Sequence, residues 1–578
     1  MCIARGSRWQ GMGRITMTTT FDAIVIGSGI SGGYSAMELC QKGYKTLMLE
    51  RGRMVEHGEY PTAHLDKWDL PNQGQVSLKE KQKHYFKQDK LHWWVKEDVK
   101  HFINKDDEYP YDEDEPFAWI RGHHVGGRSV MWGRHCPRWS DIDFNANKKD
   151  NIAIDWPIRY KDIEPWYDYV ETFVGIAGQA EGLKQAPDGK FIAPFPLNCV
   201  EKKMREAVKV KYPNRVVTPC RTANLSEYNP EVHKGTRGKC LARNRCKRGC
   251  PFGAYFSTQS ATLPVARETR NLTLKSDAIV MEIIYDETLK KASGVKVKDA
   301  LTGEITVYNA RVIFCNASTI GSAAILLNSR SETFPNGLGN SSGELGHNIM
   351  DHHYGMGASG TLEGHEEEYY KGRKPKGFFI PPFTNIDETT KQKDYIRNFS
   401  YQGGASRTSN QPDGVLGSDL KEVIFKPGKW RINMECFGEI LPYHENRMYL
   451  NFDKTDMHGM PIITFDAKLR ENELKMREHG VKCAIEMLEA AGCTDIRGRN
   501  NKTAVGACIH EMGTARMGSD PKTSVLNKWN QMHDVPNVFV TDGACMTSAG
   551  TQNPSLTYMA LSARAVDYAD KQIKANKL

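Results

Sequence analysis

The sequence holds no apolar run approaching the roughly 20 residues that a helix needs to cross a bilayer, so no direct membrane span is expected. Its first twenty residues, MCIARGSRWQGMGRITMTTT, carry Arg5, Arg8 and Arg14 but no apolar core, and do not read as a secretory signal. Met17 is a candidate start, because the first strand pattern begins at Phe21. There is no basic arm either. The 78 Lys and Arg against 70 Asp and Glu give a net charge of +8, spread along the chain, which argues against a nucleic-acid partner. Internal repeats and low-complexity linkers are also missing.

What is present is an ordinary globular balance, 39% apolar and 26% charged. A chain of 578 residues exceeds one simple core and implies two domains with interleaved segments. Of the 14 cysteines, most stand alone in apolar segments, as Cys40, Cys315 and Cys483 do, and read as core thiols. Only Cys240, Cys246 and Cys250 crowd together.

The stretch FDAIVIGSGISGGYSAMELCQKGYKTLMLERG runs from Phe21 to Gly52. Ala23 to Ile26 has the continuous apolar character of a buried parallel strand. A glycine turn follows, then a helical pattern through Leu39, then a second strand, Thr46 to Leu49, that ends in Glu50. Gly27 permits the tight turn, Gly29 lets the backbone approach a pyrophosphate, and Gly32 lets helix and strand pack closely. Ile30 and Ser31 open the helix, whose N-terminus faces the phosphates. Glu50, with Arg51 beside it, is placed to bind the hydroxyls of an adenosine ribose and would repel a 2′-phosphate, which disfavours NADP. The cradle alone does not separate FAD from NAD.

Two further segments have the same flavour. GHHVGGRSVMWGRHCPRWSDIDF contains Gly126, Gly127 and Gly133 in a loop that suits a planar ligand or an ordinary turn. ARVIFCNASTIGSAAILLNSR, from Ala310 to Arg330, reads as a buried strand turning into a helix, another crossover of a doubly wound sheet.

The order GSGISGG with Glu50, VGGRSVMWG, NASTIGSAAILLNS, HEMGTARMG and VPNVFVTDGACMTSAGTQNPSLTYMALSARA resembles the glucose–methanol–choline (GMC) family of FAD oxidoreductases over nearly the whole chain. The likeness is greatest to the branch with pyranose oxidase, the gluconate and fructose dehydrogenase flavin subunits and bacterial glucoside 3-dehydrogenases. It implies an α/β protein: a Rossmann-like FAD domain (18–55, 112–150, 236–348 and 503–578) interleaved with a substrate domain built on an antiparallel sheet (56–111, 151–235 and 349–502). By the same resemblance Gly27, Gly29, Gly32 and Glu50 hold the ADP half, and the strand around Val280 passes the adenine. Gly126, Gly127, Ser129, Met131, Trp132 and Gly133 line the flavin, while Asp542 and Gly543 meet the pyrophosphate or ribityl chain. Met131 stands where pyranose oxidase has a histidine bonded to its flavin, so non-covalent FAD is expected.

Near the C-terminus, Asn553-Pro554 is a helix start signal, and the resemblance implies that Asn553, Pro554 and Thr557 of that segment meet the cofactor. Such a helix points its positive end at whatever sits before it; if that is the flavin N1–C2=O edge, the dipole favours the anionic reduced ring. Family members use a His–His or His–Asn pair on the reacting hydroxyl. Here His510 matches the first position and Asn553 the second. A neutral imidazole is a natural acceptor for the hydroxyl proton. Arg516 is expected to anchor a loop or a carboxylate, and the pairs His123–His124 and His352–His353 read as structural.

The run Cys240-x5-Cys246-x3-Cys250-Pro251 has iron–sulfur character in a basic loop, and three ligands suit a 3Fe-4S cluster. Free thiols, a disulfide, and a zinc site completed by a distant ligand such as Cys220 remain open. Trp93, Trp94 and other aromatics suit sugar faces and cores alike. Asn398 to Ser418 reads as a glycine- and serine-rich loop over a ligand, with Gln402 as a sugar contact.

The resemblance therefore implies FAD-dependent oxidation of a sugar or glycoside secondary hydroxyl, foremost C3 of a glucoside, with electrons passed to an acceptor other than oxygen. The alternatives are an oxygen-using pyranose oxidase and, in another class, a non-catalytic FAD-binding electron-transfer subunit. It also implies a small partner subunit and a cytochrome acceptor. The location is then the periplasm, reached by co-export with a signal-bearing partner, or the cytoplasm.

Overall fold

Alternate residues of the first strand point to opposite faces of the largest sheet, and both faces are covered. Ile24 and Ile26 pack into one core cluster and Ala23 and Val25 into another. The computed structural model describes residues 16–91, 93–368, 375–409 and 414–578. In it, Thr16–Ile26 lies between Thr46–Leu49 and Ile305–Cys315, parallel to both. Leu272–Lys275 extends the parallel part beyond Thr46–Leu49, and Val538–Phe539 pairs with the far end of Ile305–Cys315. The hairpin of Ala278–Asp286 and Lys291–Asp299 adds antiparallel strands to make seven. The first strand begins at Thr16 rather than Phe21, because its partner reaches back far enough to pair Thr306 with Thr16.

A second, six-stranded sheet is antiparallel throughout: Thr494–Asn500, His352–Leu362, Pro427–Glu439, Phe399–Ser409, Phe378–Ile380 and Thr218–Pro219. Helix Glu471–Ala490 backs it, burying Met476, Cys483 and Met487 against Met356, Ile432 and Met434. A Rossmann-like sheet alongside an antiparallel one is the fold class that the sequence implies.

One expectation is corrected here. Much of the segment read as a loop is strand Phe399–Ser409, paired on both sides. A Cβ at Gly403 would lie 2.4 Å from the Phe378 ring, so that glycine serves close strand packing, not a turn. Positions 410–413 of the segment lie outside the described residues, and helix Gly417–Phe425 follows.

The glycines of the first turn divide their work. A Cβ on Gly32 would sit 1.9 Å from the carbonyl oxygen of Gly27, whereas one on Gly29 would meet nothing within 4 Å. We predict that, without bound ligand, Gly32→Ala is destabilised by about 1–3 kcal/mol or more, while Gly29→Ala unfolds at the wild-type temperature; calorimetry of the two ligand-free variants checks this.

Candidate active site

Between the two sheets lies a cavity of about 620 Å³, walled at one end by Gly27, Glu50 and Arg51 and at the other by His510, Asn553 and Gln402. At the first end Gly27 takes φ +90°, a left-handed turn that a side chain would strain. Glu50 is buried there. One carboxylate oxygen accepts from the Ser28 amide at 3.1 Å and from the Ser28 hydroxyl, and the other accepts from the Gly52 amide at 3.0 Å. Burial raises its pKa and these hydrogen bonds oppose the rise. Helix Ile30–Gln41 has no side-chain cap, so its first-turn amides remain for a ligand. Buried Arg51 Nε and His123 Nδ1 also lack partners beside the cavity. Open space at Gly29, an uncapped helix end and the unpaired Arg51 Nε donor fit a dinucleotide.

Ile30, Ser31 and Val280 share this wall. Gly127, Ser129, Met131, Trp132 and Gly133 form the next stretch, and Asp542, Gly543 and Pro554 face it. Ser129 donates to the Gly126 carbonyl at 2.6 Å, and Trp132 Nε1 donates to the Phe256 carbonyl at 2.9 Å. Gly32 and Gly126 do not reach the cavity surface; Gly126 gives room to Gln259, which a Cβ would approach to 2.1 Å. Thr557 is turned away from the cavity. It is buried inside helix Ser555–Lys574, with its hydroxyl 2.8 Å from that of Tyr167.

At the other end the structure brings together four side chains from distant parts of the chain. Asn553 Nδ2 donates to His510 Nε2 at 3.0 Å, and Gln402 Nε2 donates to Asn553 Oδ1 at 2.6 Å. His510 Nδ1 lies 2.9 Å from His352 Nδ1 and 3.3 Å from Cys508 Sγ. His352 is thus not a remote structural residue; nothing in the sequence links it to His510, and its partner is set by where strand His352–Leu362 begins. Burial holds the His510 pKa well below the usual imidazole value, and His352, Arg128, Lys376 and His135 act in the same direction. The side chain is neutral near pH 7.

The loop carrying His510 is held under strain. Ile509 adopts φ +65°, a conformation that a β-branched residue rarely takes and that costs on the order of 1–3 kcal/mol. Asp351 holds it in place: its two carboxylate oxygens accept from the amides of Cys508 and His510, each at 3.0 Å. Burial, with Glu511 nearby, pushes Asp351 up to about 7. Glu511 in turn pairs with Arg128 through two contacts of 3.1 and 2.8 Å. Arg516 binds Glu344 at 3.0 Å and Asn348 at 2.9 Å, away from the cavity.

An aromatic wall runs outward from His510 through Phe437 and Tyr354 to Trp93, with successive ring centroids 6.4, 5.9 and 5.3 Å apart. Cys246 lines the same cavity beside Arg245 and Lys247, while Cys240 and Cys250 do not line it. All three are free thiols. Burial pushes Cys240 and Cys250 up, and the neighbouring thiols add to this, while Arg134 opposes it at Cys240 and Arg243 at Cys250. Among the described residues only His352, Cys508 and His510 bring three donor atoms within 4.8 Å of one another, so the loop sulfurs do not close on a single zinc ion. Cys220 lies instead against the carbonyls of Lys376 and Phe378, at 3.3 and 3.1 Å.

Comparison with known proteins shows what the whole chain is similar to. Two models described as GMC oxidoreductase match residues 21–354 and 442–562. The 2-methyl-1,2-propanediol dehydrogenase of Mycolicibacterium austroafricanum is 28% identical over 96% of this chain and 97% of its own. The fructose dehydrogenase large subunit of Gluconobacter japonicus is 25% identical, covering 95% and 98%. Among solved structures, formate oxidase of Aspergillus oryzae RIB40 superposes with a TM-score of 0.61 at 12% identity, covering 97% of this chain and all (100%) of the other. The chain belongs to the GMC oxidoreductase family and is an FAD oxidoreductase that acts on CH–OH donors.

Proposed function

We propose that the protein oxidises a secondary hydroxyl of a sugar or glycoside to a ketone, foremost C3 of a glucoside, and passes the electrons to an acceptor other than oxygen. The observation that carries the reading is the 3.0 Å contact between His510 and Asn553 at the inner end of a cavity with an aromatic wall. A substrate hydroxyl that displaces this contact meets a proton acceptor, His510 Nε2, and a donor, Asn553 Nδ2. The imidazole takes the hydroxyl proton as the C–H bond gives up its hydride, and the amide holds the same oxygen as it becomes a carbonyl. Rings such as Phe437, Tyr354 and Trp93 suit the apolar faces of a pyranose, and Gln402 fixes the orientation of Asn553.

Bound FAD supplies the two-electron acceptor. Its ADP half would be held by Gly27, Gly29 and Glu50, and its ring by the wall from Gly127 to Gly133, without a covalent bond. Pro554 and Ser555 open an uncapped helix onto that wall, so the helix dipole stabilises negative charge there.

We further propose that Cys240, Cys246 and Cys250 hold a 3Fe-4S cluster, which would supply one-electron transfer toward a partner. Three free thiols with Arg134 and Arg243 near them, one sulfur on the cavity wall, support this. A small subunit and a cytochrome are the partners this reading calls for, and co-export to the periplasm is the location. No described helix is long and apolar enough to cross a membrane. The other reading of the same site is an oxidase, which would form peroxide in air without a dye.

Three results test these proposals. Methyl glucoside should bleach the flavin anaerobically and its 3-deoxy analogue should not, while His510→Ala should slow bleaching by about 10²–10⁴-fold with its flavin content unchanged; equal bleaching by both sugars would remove C3 as the site. Because burial depresses the His510 pKa, the base form of that ring persists on acidification, so its NMR signals should not titrate through the ordinary imidazole range near 6.5 and should move only below it. Protein purified anaerobically should contain three iron atoms per chain by elemental analysis; iron-free protein with full activity toward a dye would dismiss the cluster.

A further inference from the structure

We infer that His352 is a positioning residue that fixes the tautomer of His510, leaving Nδ1 protonated and Nε2 bare, through a chain of hydrogen bonds that starts at the carbonyl of Ala549. This rests on His510 being the base.

The donors and acceptors leave one consistent assignment. Ala549 offers a carbonyl oxygen, which only accepts, 3.3 Å from His352 Nε2. That nitrogen therefore carries the hydrogen. Burial pushes the His352 pKa down to about 4, so the ring is neutral and its Nδ1 is a lone pair. His510 Nδ1 faces this lone pair at 2.9 Å. Two lone pairs at that separation would repel, so His510 Nδ1 carries a hydrogen and donates it. The opposite nitrogen, Nε2, is then free to accept, and Asn553 Nδ2 donates to it at 3.0 Å.

The amides fit this assignment: Asn553 Oδ1 accepts from Gln402 Nε2 at 2.6 Å, which leaves Nδ2 to face His510. The antiparallel sheet thus sets both sides of the imidazole, His352 from the end of one strand and Gln402 from another. The other ionisable groups around His510 are Cys508, Asp351, Glu511, Arg128, Lys376 and His135. Of these, only Cys508 reaches Nδ1. Its buried thiol, pushed well up and so protonated, is the weaker partner at 3.3 Å.

An imidazole in the opposite tautomer presents N–H to the substrate and cannot take its proton. Where a tautomer-setting partner has been removed from a catalytic histidine, the loss is up to roughly 10⁴-fold in rate.

The test compares His352→Leu, which offers no acceptor, with His352→Asn, whose Oδ1 accepts near the position of the lost Nδ1. With flavin content matched, His352→Leu should reduce its flavin at least about 10²-fold more slowly with KM little changed, and His352→Asn should recover to within about tenfold of wild type. A fully active Leu variant, or an Asn variant as slow as the Leu variant, overturns the inference. Should the Leu variant fail to fold, ¹⁵N spectra of histidine-labelled wild type decide it: the signals that vanish in His510→Ala must report a protonated Nδ1 and a bare Nε2, and the reverse pattern overturns the inference. An active His510→Ala would instead end the reading of His510 as base, whatever its tautomer.

Discussion

The hold of Asp351 on two backbone amides is the constraint on which the rest of the site depends. Its carboxylate accepts from Cys508 and His510 and so keeps Ile509, between them, in a left-handed conformation that such a side chain disfavours. Released, that residue would relax and swing the imidazole away from Asn553. The next residue in the chain is His352, which touches the ring that Asp351 helps to aim. Two adjacent residues at the start of one antiparallel strand therefore grip the backbone and the side chain of His510 together.

The two sheets contribute different kinds of chemistry to one cavity. The mostly parallel sheet supplies backbone: a glycine turn, uncapped amides at the start of Ile30–Gln41, and the buried carboxylate of Glu50. These features suit phosphates and a ribose, and their spacing is local. The antiparallel sheet supplies side chains at strand positions, His352 and Gln402, which act on groups carried by loops at the far end of the chain. A cofactor-binding layer with fixed geometry and a substrate layer built from exchangeable side chains suit a family whose members differ in the alcohol they oxidise.

How much of this could be read beforehand follows from that division. The strand, turn, helix and acid from Ala23 to Glu50 lie within one short stretch, and periodicity and glycine spacing suffice to place them. The pairing of His510 with Asn553 came from resemblance, since nothing local joins the two. The role of His352 beside His510, and the contact of Gln402 with Asn553, are out of reach of the sequence because they depend on register between strands far apart in the chain: Gln402 is opposite Glu435, and His352 opposite Glu439. The stretch from Asn398 misled for a related reason. Glycines there accommodate the Phe378 ring across the sheet, yet in the sequence they look like turn residues. Thr557 is expected at the cofactor from the resemblance, but one turn into the helix its side chain faces Tyr167.

The central claim is that one alcohol oxygen sits between an imidazole and a carboxamide. A crystal structure of the flavin-loaded enzyme with a bound, non-reacting sugar analogue measures this directly. The account predicts a single hydroxyl oxygen within hydrogen-bonding distance of both His510 Nε2 and Asn553 Nδ2, with His352 still on Nδ1. A sugar bound in the same cavity with its hydroxyls on other side chains, and the 3.0 Å contact between His510 and Asn553 left intact, would contradict it.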